Sequence, residues 1–419
     1  MLNTVIIGAG YSGILTAQEL SKKLRSRKDV RITLIDKNPY HTMKTELHAA
    51  ASGRGKPENI KFPLSKIFAG TPVRTAAAYV TDIDFQNKRV NTASGTYSYD
   101  YLVIAAGSKP SFFGIPGAEK FSYHLQEYND AVHLKNHLNT VFKLAASEKD
   151  PQKRKALLTF IIAGAGLTGI ELAGELAEAV PLLCTKYNIP KREVTLEVID
   201  ASPRALPGMP KAVSSKAEKI LHSNGVRFKF SCSVREVTNC SVVLESDGKK
   251  CEIPTHTVIW TAGVTGSDIT TQAAGALRSE KGSRLRDNSY LMSVSDPSVF
   301  VVGDNMYYST SAYKKSVPQM VENCESSAKT AADNIASLIK GRRLLARYKP
   351  SFHGAMISLG GLKGISYIGS DRLGIKAVLP SVPTQLAKRA VNVIYLSKVL
   401  GRQMIPQLIK NEFFAARAL

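Results

Sequence analysis

The sequence is poor in several features that often announce a mechanism. Its 419 residues include five cysteines, at 184, 232, 240, 251 and 324, with no CxxC pair and no metal-ligand spacing. A zinc site and a redox dithiol near the N-terminus are therefore not expected. The thiols read as free and mostly buried, as in a reducing cytosol. No run of 18 apolar residues occurs, so no transmembrane helix is expected. No signal peptide is expected either, because the first strand opens at about residue 2. Acidic residues are scarce: 34 Asp and Glu against 56 Lys and Arg, a net charge of +22. Such a surplus suits nucleic acid, an anionic membrane surface or an anionic ligand. The length allows two or three domains with real cores.

The chemistry that is present begins at TVIIGAGYSG, residues 4 to 13. Val5, Ile6 and Ile7 suit a buried parallel strand, and Leu15, Ala17 and Leu20 continue at helical spacing. Between them lie Gly8, Gly10 and Gly13. A strand turning tightly into a helix aims free N–H groups and a positive dipole end at one point. Gly8 permits the turn, Gly10 permits a pyrophosphate to approach, and Gly13 permits close packing of helix and strand. The next strand, Arg31 to Ile35, ends in Asp36, an acceptor for ribose hydroxyls.

The polar stretch KNPYHTMKTELHAAASG follows, with a short helix expected at Thr45 to Ala51 and with His41 and His48 as structural or cofactor-adjacent groups. Residues 73 to 103 alternate as strands, with turns at Gln86-Asn87 and Ser94-Gly95. Tyr101 to Ala105 forms a buried strand before a small-residue turn at Gly107, where a cofactor can approach the backbone. Residues 127 to 150 read as helix and then as a charged linker, EKDPQKRK. The opening pattern then repeats as LTFIIAGAGLTGIELAGEL, with Gly164, Gly166 and Gly169, followed by a strand ending at Asp200. VIWTAGV (258 to 264) mirrors VIAAGS (103 to 108). VFVVGDN (299 to 305) is a third buried strand, ending in Gly303-Asp304, and a helix is expected from about Pro318 to Ile339. Two such units in one chain imply two nucleotides, a tightly bound flavin and an exchangeable nicotinamide. An acid at Asp200 favours NADH over NADPH, and Arg204 stands four residues on as a group that would soften that preference.

The order GAGYSG, YDYLVIAAGSKP, GAGLTGIELAGEL, VIWTAGV and VFVVGDN, with a basic tail, resembles the two-dinucleotide-binding-domain flavoproteins. Within these it is similar to the type II NADH dehydrogenases, single-chain NADH:quinone oxidoreductases. The segments KNPYHTMKTELHAAASG, PLLCTKYNI and SLGGLKGISYIG are the discriminating ones. The resemblance implies an α/β fold of two Rossmann-like domains with inserted β-meanders. It places an FAD domain at 1–125 and 265–340, an NADH domain at 126–264 and a basic membrane-anchoring region at 341–419. It also implies roles. Gly8, Gly10, Ser12 and Gly13 would hold the FAD pyrophosphate and Asp36 its ribose. Lys37 and Val80 would lie near the adenosine, Thr45 nearer the flavin, and Asp304 by the ribityl chain. Gly166, Thr168 and Gly169 would receive the NADH pyrophosphate and Asp200 its ribose. Glu171 would stand near nicotinamide and flavin. On the quinone side the family commonly has Ala-Gln, three residues, then Gln. Here Pro318-Gln319 is followed by Asn323, which leaves Gln319 as the expected quinone contact.

Residues 341 to 419 carry 13 Lys or Arg against 2 Asp or Glu, half of the net charge. Lys388, Asn392, Lys398 and Arg402 fall on one helical face, with Leu386, Val393, Ile394, Leu400 and Met404 opposite. Pro406 opens a second segment with Leu408, Ile409, Phe413 and Phe414. A basic amphipathic helix can lie in an anionic bilayer interface. The expected protein is a peripheral flavoenzyme on the cytoplasmic face of the cell membrane, possible as a homodimer. It would pass electrons from NADH through FAD to a membrane quinone, menaquinone first, without pumping protons. No metal and no nucleic-acid partner are expected. Competing readings are an NADH-linked reductase with a soluble acceptor, a sulfide:quinone oxidoreductase and an NADH sensor. The second needs a pair of cysteines near the flavin, and none follows Cys324.

Overall fold

The computed structural model describes residues 1–310, 316–350, 352–370, 375–379 and 381–414. The chain forms two compact units. Met1–Thr42, Phe62–Lys109 and Val264–Phe352 make the first; Met43–Lys61, Pro110–Gly263 and His353–Leu419 make the second.

The first unit is built on a five-stranded sheet in the order Val299–Val301, Tyr101–Ile104, Leu2–Ile7, Val30–Asp36, Val73–Ala77. Every pairing is parallel. Parallel strands are covered on both faces, which is why these runs are almost wholly aliphatic. Helix Tyr11–Lys23 packs along helix Val321–Ile339. Their buried Ala17, Ala328, Ala331 and Ala332 permit close approach. The second helix starts at Val321, not at Pro318, because Met320 is still extended. A three-stranded antiparallel meander, Val80–Asp84, Arg89–Thr92 and Gly95–Ser98, belongs to this unit.

The second unit repeats the plan. Its parallel sheet runs Tyr123–His124, Thr257–Trp260, Thr159–Ala163, Thr195–Ile199, Val226–Lys229. Its meander is Ser233–Val237, Ser241–Ser246 and Lys249–Pro254. Val234, Val237, Val242 and Leu244 of the meander pack with Ile161, Val258 and Trp260 of the sheet in one apolar cluster. The charged segment at 148 to 155 is not a linker. Asp150 accepts the N–H groups of Gln152 and Lys153 at 2.8 and 3.3 Å and caps a helix, Pro151–Leu157. Proline at the first helical position suits that start. Helix Leu167–Tyr187 ends at Asn188, whose left-handed backbone (φ 54°) closes PLLCTKYNI onto the Cys184 carbonyl through the Ile189 N–H, 2.9 Å.

Three segments group differently from the boundaries expected above. Residues 110–125 join the second unit because Tyr123–His124 is its edge strand. Residues 43–61 join it because helix Leu47–Ala51 packs on helices Tyr128–Ser147 and Leu167–Tyr187. Residues 353–419 also belong to it: antiparallel strands Gly354–Ser358, Gly364–Ser370 and Ile375–Leu379 precede helix Ser381–Leu400.

The two dinucleotide turns are held by the same close approaches. A methyl on Gly13 would sit 1.8 Å from the Gly8 carbonyl oxygen, and one on Gly169 would sit 1.9 Å from that of Gly164. Gly8 and Gly164 have φ of +101° and +114°. Gly10 differs: a methyl there meets nothing within 4 Å. Gly13→Ala should therefore destabilise the protein by about 1–3 kcal/mol, read as a lowered unfolding midpoint. Gly10→Ala should leave the midpoint nearly unchanged while weakening dinucleotide retention.

Candidate functional site

Each unit presents a helix start without a side-chain cap. Helices Tyr11–Lys23 and Leu167–Tyr187 begin after Gly10 and Gly166, and neither has an acid in its first turn. Open space lies in front of both glycines. Free amides, a positive dipole end and room together fit a pyrophosphate.

The acid of each unit is fixed in the same way. Asp36 Oδ2 accepts the Ala9 N–H at 2.6 Å and Oδ1 accepts the Asn38 N–H at 2.8 Å. Asp200 Oδ2 accepts the Ala165 N–H at 2.6 Å and Oδ1 accepts the Ser202 N–H at 2.6 Å. Each carboxylate is thereby oriented beside its glycine turn. A carboxylate has about four acceptor directions, so ribose hydroxyls fit the remaining ones. Arg204 is engaged elsewhere. Its guanidinium donates to the Pro207 and Met209 carbonyls at 3.0 and 2.9 Å and to the Ser214 hydroxyl.

In the first unit the Gly303-Asp304 pair returns to the opening helix. A methyl on Gly303 would strike the Ser12 hydroxyl. Ser108 donates to Asp304 Oδ2 at 3.0 Å. Asn305 clasps Gly107 twice, accepting its N–H at 2.9 Å and donating to its carbonyl at 2.5 Å. Gln319 Nε2 donates to the Asp304 carbonyl at 3.2 Å. Gly8, Gly10, Ser12, Gly13, Asp36, Gly107, Gly303, Asp304 and Gln319 thus share one unit. Lys37 follows Asp36 directly. Val80 is buried at the start of its strand, two residues after Ala78, whose N–H donates to the Asp36 carbonyl at 2.8 Å. Thr45 lies in the 3-10 turn Lys44–Glu46 of the second unit. His41 is buried against the Ala9 carbonyl, 3.0 Å from its Nδ1.

Asn323 is buried and faces inward. Its Nδ2 donates to the Pro318 carbonyl at 2.9 Å, and its Oδ1 accepts from the Tyr348 hydroxyl at 3.1 Å. It holds the Pro318-Gln319 segment in place.

The second unit brings Gly164, Gly166, Thr168, Gly169 and Asp200 together and adds a buried charge cluster around Glu171. Glu171 Oε1 accepts from Lys388 Nζ at 2.7 Å and from the Ser358 N–H at 3.0 Å. Lys388 also lies 3.7 Å from Glu46 Oε1. Burial alone would depress the Lys388 ammonium, but the Glu171 and Glu46 carboxylates outweigh it and raise its pKa above the ordinary range. His48 touches Lys388 (3.4 Å) and Glu171 (3.9 Å). Burial, helped by the Lys388 charge, lowers its pKa to about 3. The ring is therefore neutral at ordinary pH, and the Glu171 contact is not an ion pair. Behind these, Arg54 pairs with the buried Glu175 at 2.9 Å. Burial raises the Glu175 pKa, with Arg54 opposing.

Glu46, His48, Arg54, Ser358 and Lys388 carry this cluster, and sequence reasoning assigned none of them to it. The signal lay in the discriminating segments: Glu46, His48 and Arg54 fall in or just after KTELHAAASG, and Ser358 opens SLGGLKG. The glycines there are packing glycines. A methyl on Gly360 (φ +86°) would lie 2.2 Å from the Gly174 carbonyl oxygen.

The family described as pyridine nucleotide-disulphide oxidoreductase matches residues 2–328. A relative from Staphylococcus epidermidis named type II NADH:quinone oxidoreductase is 31% identical over 374 residues, covering 89% of this chain and 91% of its own. One of the same name from Staphylococcus aureus is 29% identical over the same shares. Among solved structures, NDH2 from Plasmodium falciparum in complex with NADH superposes with a TM-score of 0.87 at 15% identity, over the whole of both chains. The sulfide:quinone oxidoreductase from Aquifex aeolicus superposes with a TM-score of 0.78 at 20% identity, over 99% of this chain and 96% of its own. These two structural likenesses speak for the fold.

The neutral His48 has a consequence for stability. Its folded pKa of about 3 lies below its ordinary 6.5. The unfolded chain takes up the proton first, so this contribution is complete above about pH 6.5 and is lost as pH falls toward 3. Between pH 7 and 5 the protein should lose on the order of 2 kcal/mol more stability than His48→Gln. Denaturant titrations of both at the two pH values measure the difference.

Proposed function

Because the chain belongs to the pyridine nucleotide-disulphide oxidoreductase family, and within it to the type II NADH:quinone oxidoreductases, we propose that it is an FAD-dependent enzyme that oxidises NADH and reduces a membrane quinone. The observation that carries this reading is the pair of matching dinucleotide cradles in one chain, each with an uncapped helix start and a backbone-tethered aspartate. FAD, when bound, supplies a ring that accepts a hydride and passes two electrons on.

The first cradle is assigned to FAD. Gly8, Gly10, Ser12 and Gly13 hold its pyrophosphate and Asp36 its ribose, with Lys37 and Val80 on the adenosine side and Thr45 toward the flavin. Asp304, steadied by Ser108, takes the ribityl region, and Gly107 with Gly303 lets it approach the backbone. The second cradle takes NADH: Gly164, Gly166, Thr168 and Gly169 at the pyrophosphate, Asp200 at the ribose. An Arg204 clasped into its own loop leaves no guanidinium waiting for a 2′-phosphate, which supports NADH over NADPH. Glu171, fixed by Lys388 and Ser358, stands as a preoriented carboxylate near the nicotinamide. Gln319 is assigned to the quinone, with Asn323 as its positioning residue. Menaquinone is the first acceptor to test, and the reaction is taken to run on the cytoplasmic face without proton pumping.

Anaerobic mixing of the flavoprotein with NADH should bleach the flavin, and menaquinone or ubiquinone analogues should restore its colour. A flavin that NADH leaves oxidised sinks the reading. Glu171→Gln should keep FAD and lower quinone turnover by about tenfold or more. A sulfide reaction is not favoured. Cys324 Sγ contacts Asp304 at 3.8 Å, yet no cysteine follows it in the sequence to complete a redox pair.

The C-terminal helix supports membrane docking in an orientation the helical pattern did not reveal. Thr384, Gln385, Asn392 and Val393 are buried, and Lys388 is engaged inside. Val382, Leu386, Val391 and Ile394 are 46–54% exposed. The expected division is corrected in part: Lys388 and Asn392 of the polar face turn toward the protein and Val393 of the apolar face is buried, while Lys398 and Arg402 are exposed. Beyond the helix, Met404 and Ile409 are also exposed, Leu408 is buried, and the side chains of Phe413 and Phe414 lie outside the described residues. No described helix is long and apolar enough to cross a membrane. Deleting the helix would remove Lys388 from Glu171, so point changes are the cleaner test. Leu386→Glu with Ile394→Glu should weaken sedimentation with anionic vesicles by about tenfold or more. Turnover with a water-soluble quinone should persist.

A further inference from the structure

The second unit contains a cavity that the reaction above does not use. Its volume is about 580 Å³, within the range of small-molecule sites. Four of the chain's eight histidines line it. His133 and His137 lie one turn apart on helix Tyr128–Ser147, His124 comes from the edge strand Tyr123–His124, and His256 precedes strand Thr257–Trp260. The cavity runs along the edge of the sheet, from His256 before the start of strand Thr257–Trp260 to His124, which pairs with Trp260 at its end. His256 and Leu157 stand before the starts of two central strands, and Thr261 and Gly164 follow their ends. At ~3.3 Å per residue, a five-residue strand separates those ends by about 16 Å.

The lining is aromatic and basic. Tyr123 and His137 stack with centroids 4.3 Å apart and planes at 24°, forming a flat platform. His137 Nε2 meets the Thr257 hydroxyl at 2.8 Å, and burial lowers its pKa to about 4, so this ring is a neutral surface. Val141, Leu144 and Leu157 add an aliphatic wall. Lys120 holds its ammonium 4.9 Å above the Phe121 ring. The lining carboxylate, Asp130, is engaged by the helix start. Its Oδ2 accepts the Gln126 and Glu127 N–H groups at 2.9 and 2.7 Å, and its Oδ1 is 3.5 Å from His124 Nε2. His124 Nδ1 is buried without a hydrogen-bond partner, a state that buried polar atoms rarely keep.

We propose that this cavity binds a small planar anion, an aromatic ring carrying a carboxylate or a phosphate. The ring lies on the Tyr123–His137 platform against the aliphatic wall. The anion meets Lys120 and the imidazoles of His124 and His133. Lys120, exposed at the mouth of the cavity, favours an anion over a cation.

The chain's single tryptophan reports on the site. Trp260 lies 5.8 Å from Phe112, and Phe112 lies 6.1 Å from His124, centroid to centroid. The full-length FAD-loaded protein is titrated with benzoate and, separately, with phenyl phosphate while tryptophan emission is followed. At least one should give a saturable change with an affinity of about millimolar, as suits ligands of this size. The preferred anion distinguishes carboxylate from phosphate. Lys120→Ala with His133→Ala should weaken that binding by about tenfold or more and leave NADH turnover unchanged. Thr140→Phe, which keeps every charge and obstructs the cavity, should do the same. Asp200→Ala should bind the anion normally, which separates this site from the cradle. No saturable change with either anion, or undiminished binding in either folded variant, overturns the proposal.

Discussion

A buried ammonium organises the second unit. Lys388 comes from the C-terminal helix, and its nearest carboxylates come from residues 46 and 171. An ammonium taken out of water is tolerated only when its charge and donors are answered, and removal of one partner leaves an uncompensated charge. The inner face of the C-terminal helix is built to that demand. Gln385 donates to Ser358 and to the Lys363 carbonyl, Thr384 meets Ser366, and Asn392 donates to Glu46. The glycines of SLGGLKG let the chain pass close enough to helix Leu167–Tyr187 for Ser358 to reach both Glu171 and Glu175.

The internal duplication reaches individual hydrogen bonds. Gly8 N–H to the Ile35 carbonyl and Gly164 N–H to the Ile199 carbonyl are both 2.8 Å. Asp36 and Asp200 hold Ala9 and Ala165 at the same 2.6 Å. Much of this was legible in the sequence, because a strand-turn-helix with three glycines and a terminal acid has few ways to satisfy its backbone. The parallel strands, the first meander and both glycine turns followed from local pattern.

What the sequence hid depends on contacts between distant segments. Periodicity shows which residues share a helical face but not which face turns inward. Hydrophobicity ordinarily decides that, and here Glu171 and Glu46 decide it instead by drawing Lys388 in. Asn305 clasps Gly107 across nearly two hundred residues of chain, a pairing no local signal announces. The sequence shows Asn323 only as a residue four positions after Gln319. Its partners, Pro318 and Tyr348, make it a clasp behind Gln319. The charged segment before the repeat looked like a tether until Asp150 proved to cap a helix.

The outward aliphatic strip of Val382, Leu386, Val391 and Ile394 has a meaning for work at the bench. Such a strip adheres to whatever apolar body is offered, whether acyl chains, a surfactant micelle or the same strip on a sister molecule. Particle size in an aqueous buffer will then vary with the amphiphile supplied. An oligomer seen after surfactant is withdrawn speaks first about an unquenched sticky edge, and only afterwards about any architecture the enzyme has in the cell.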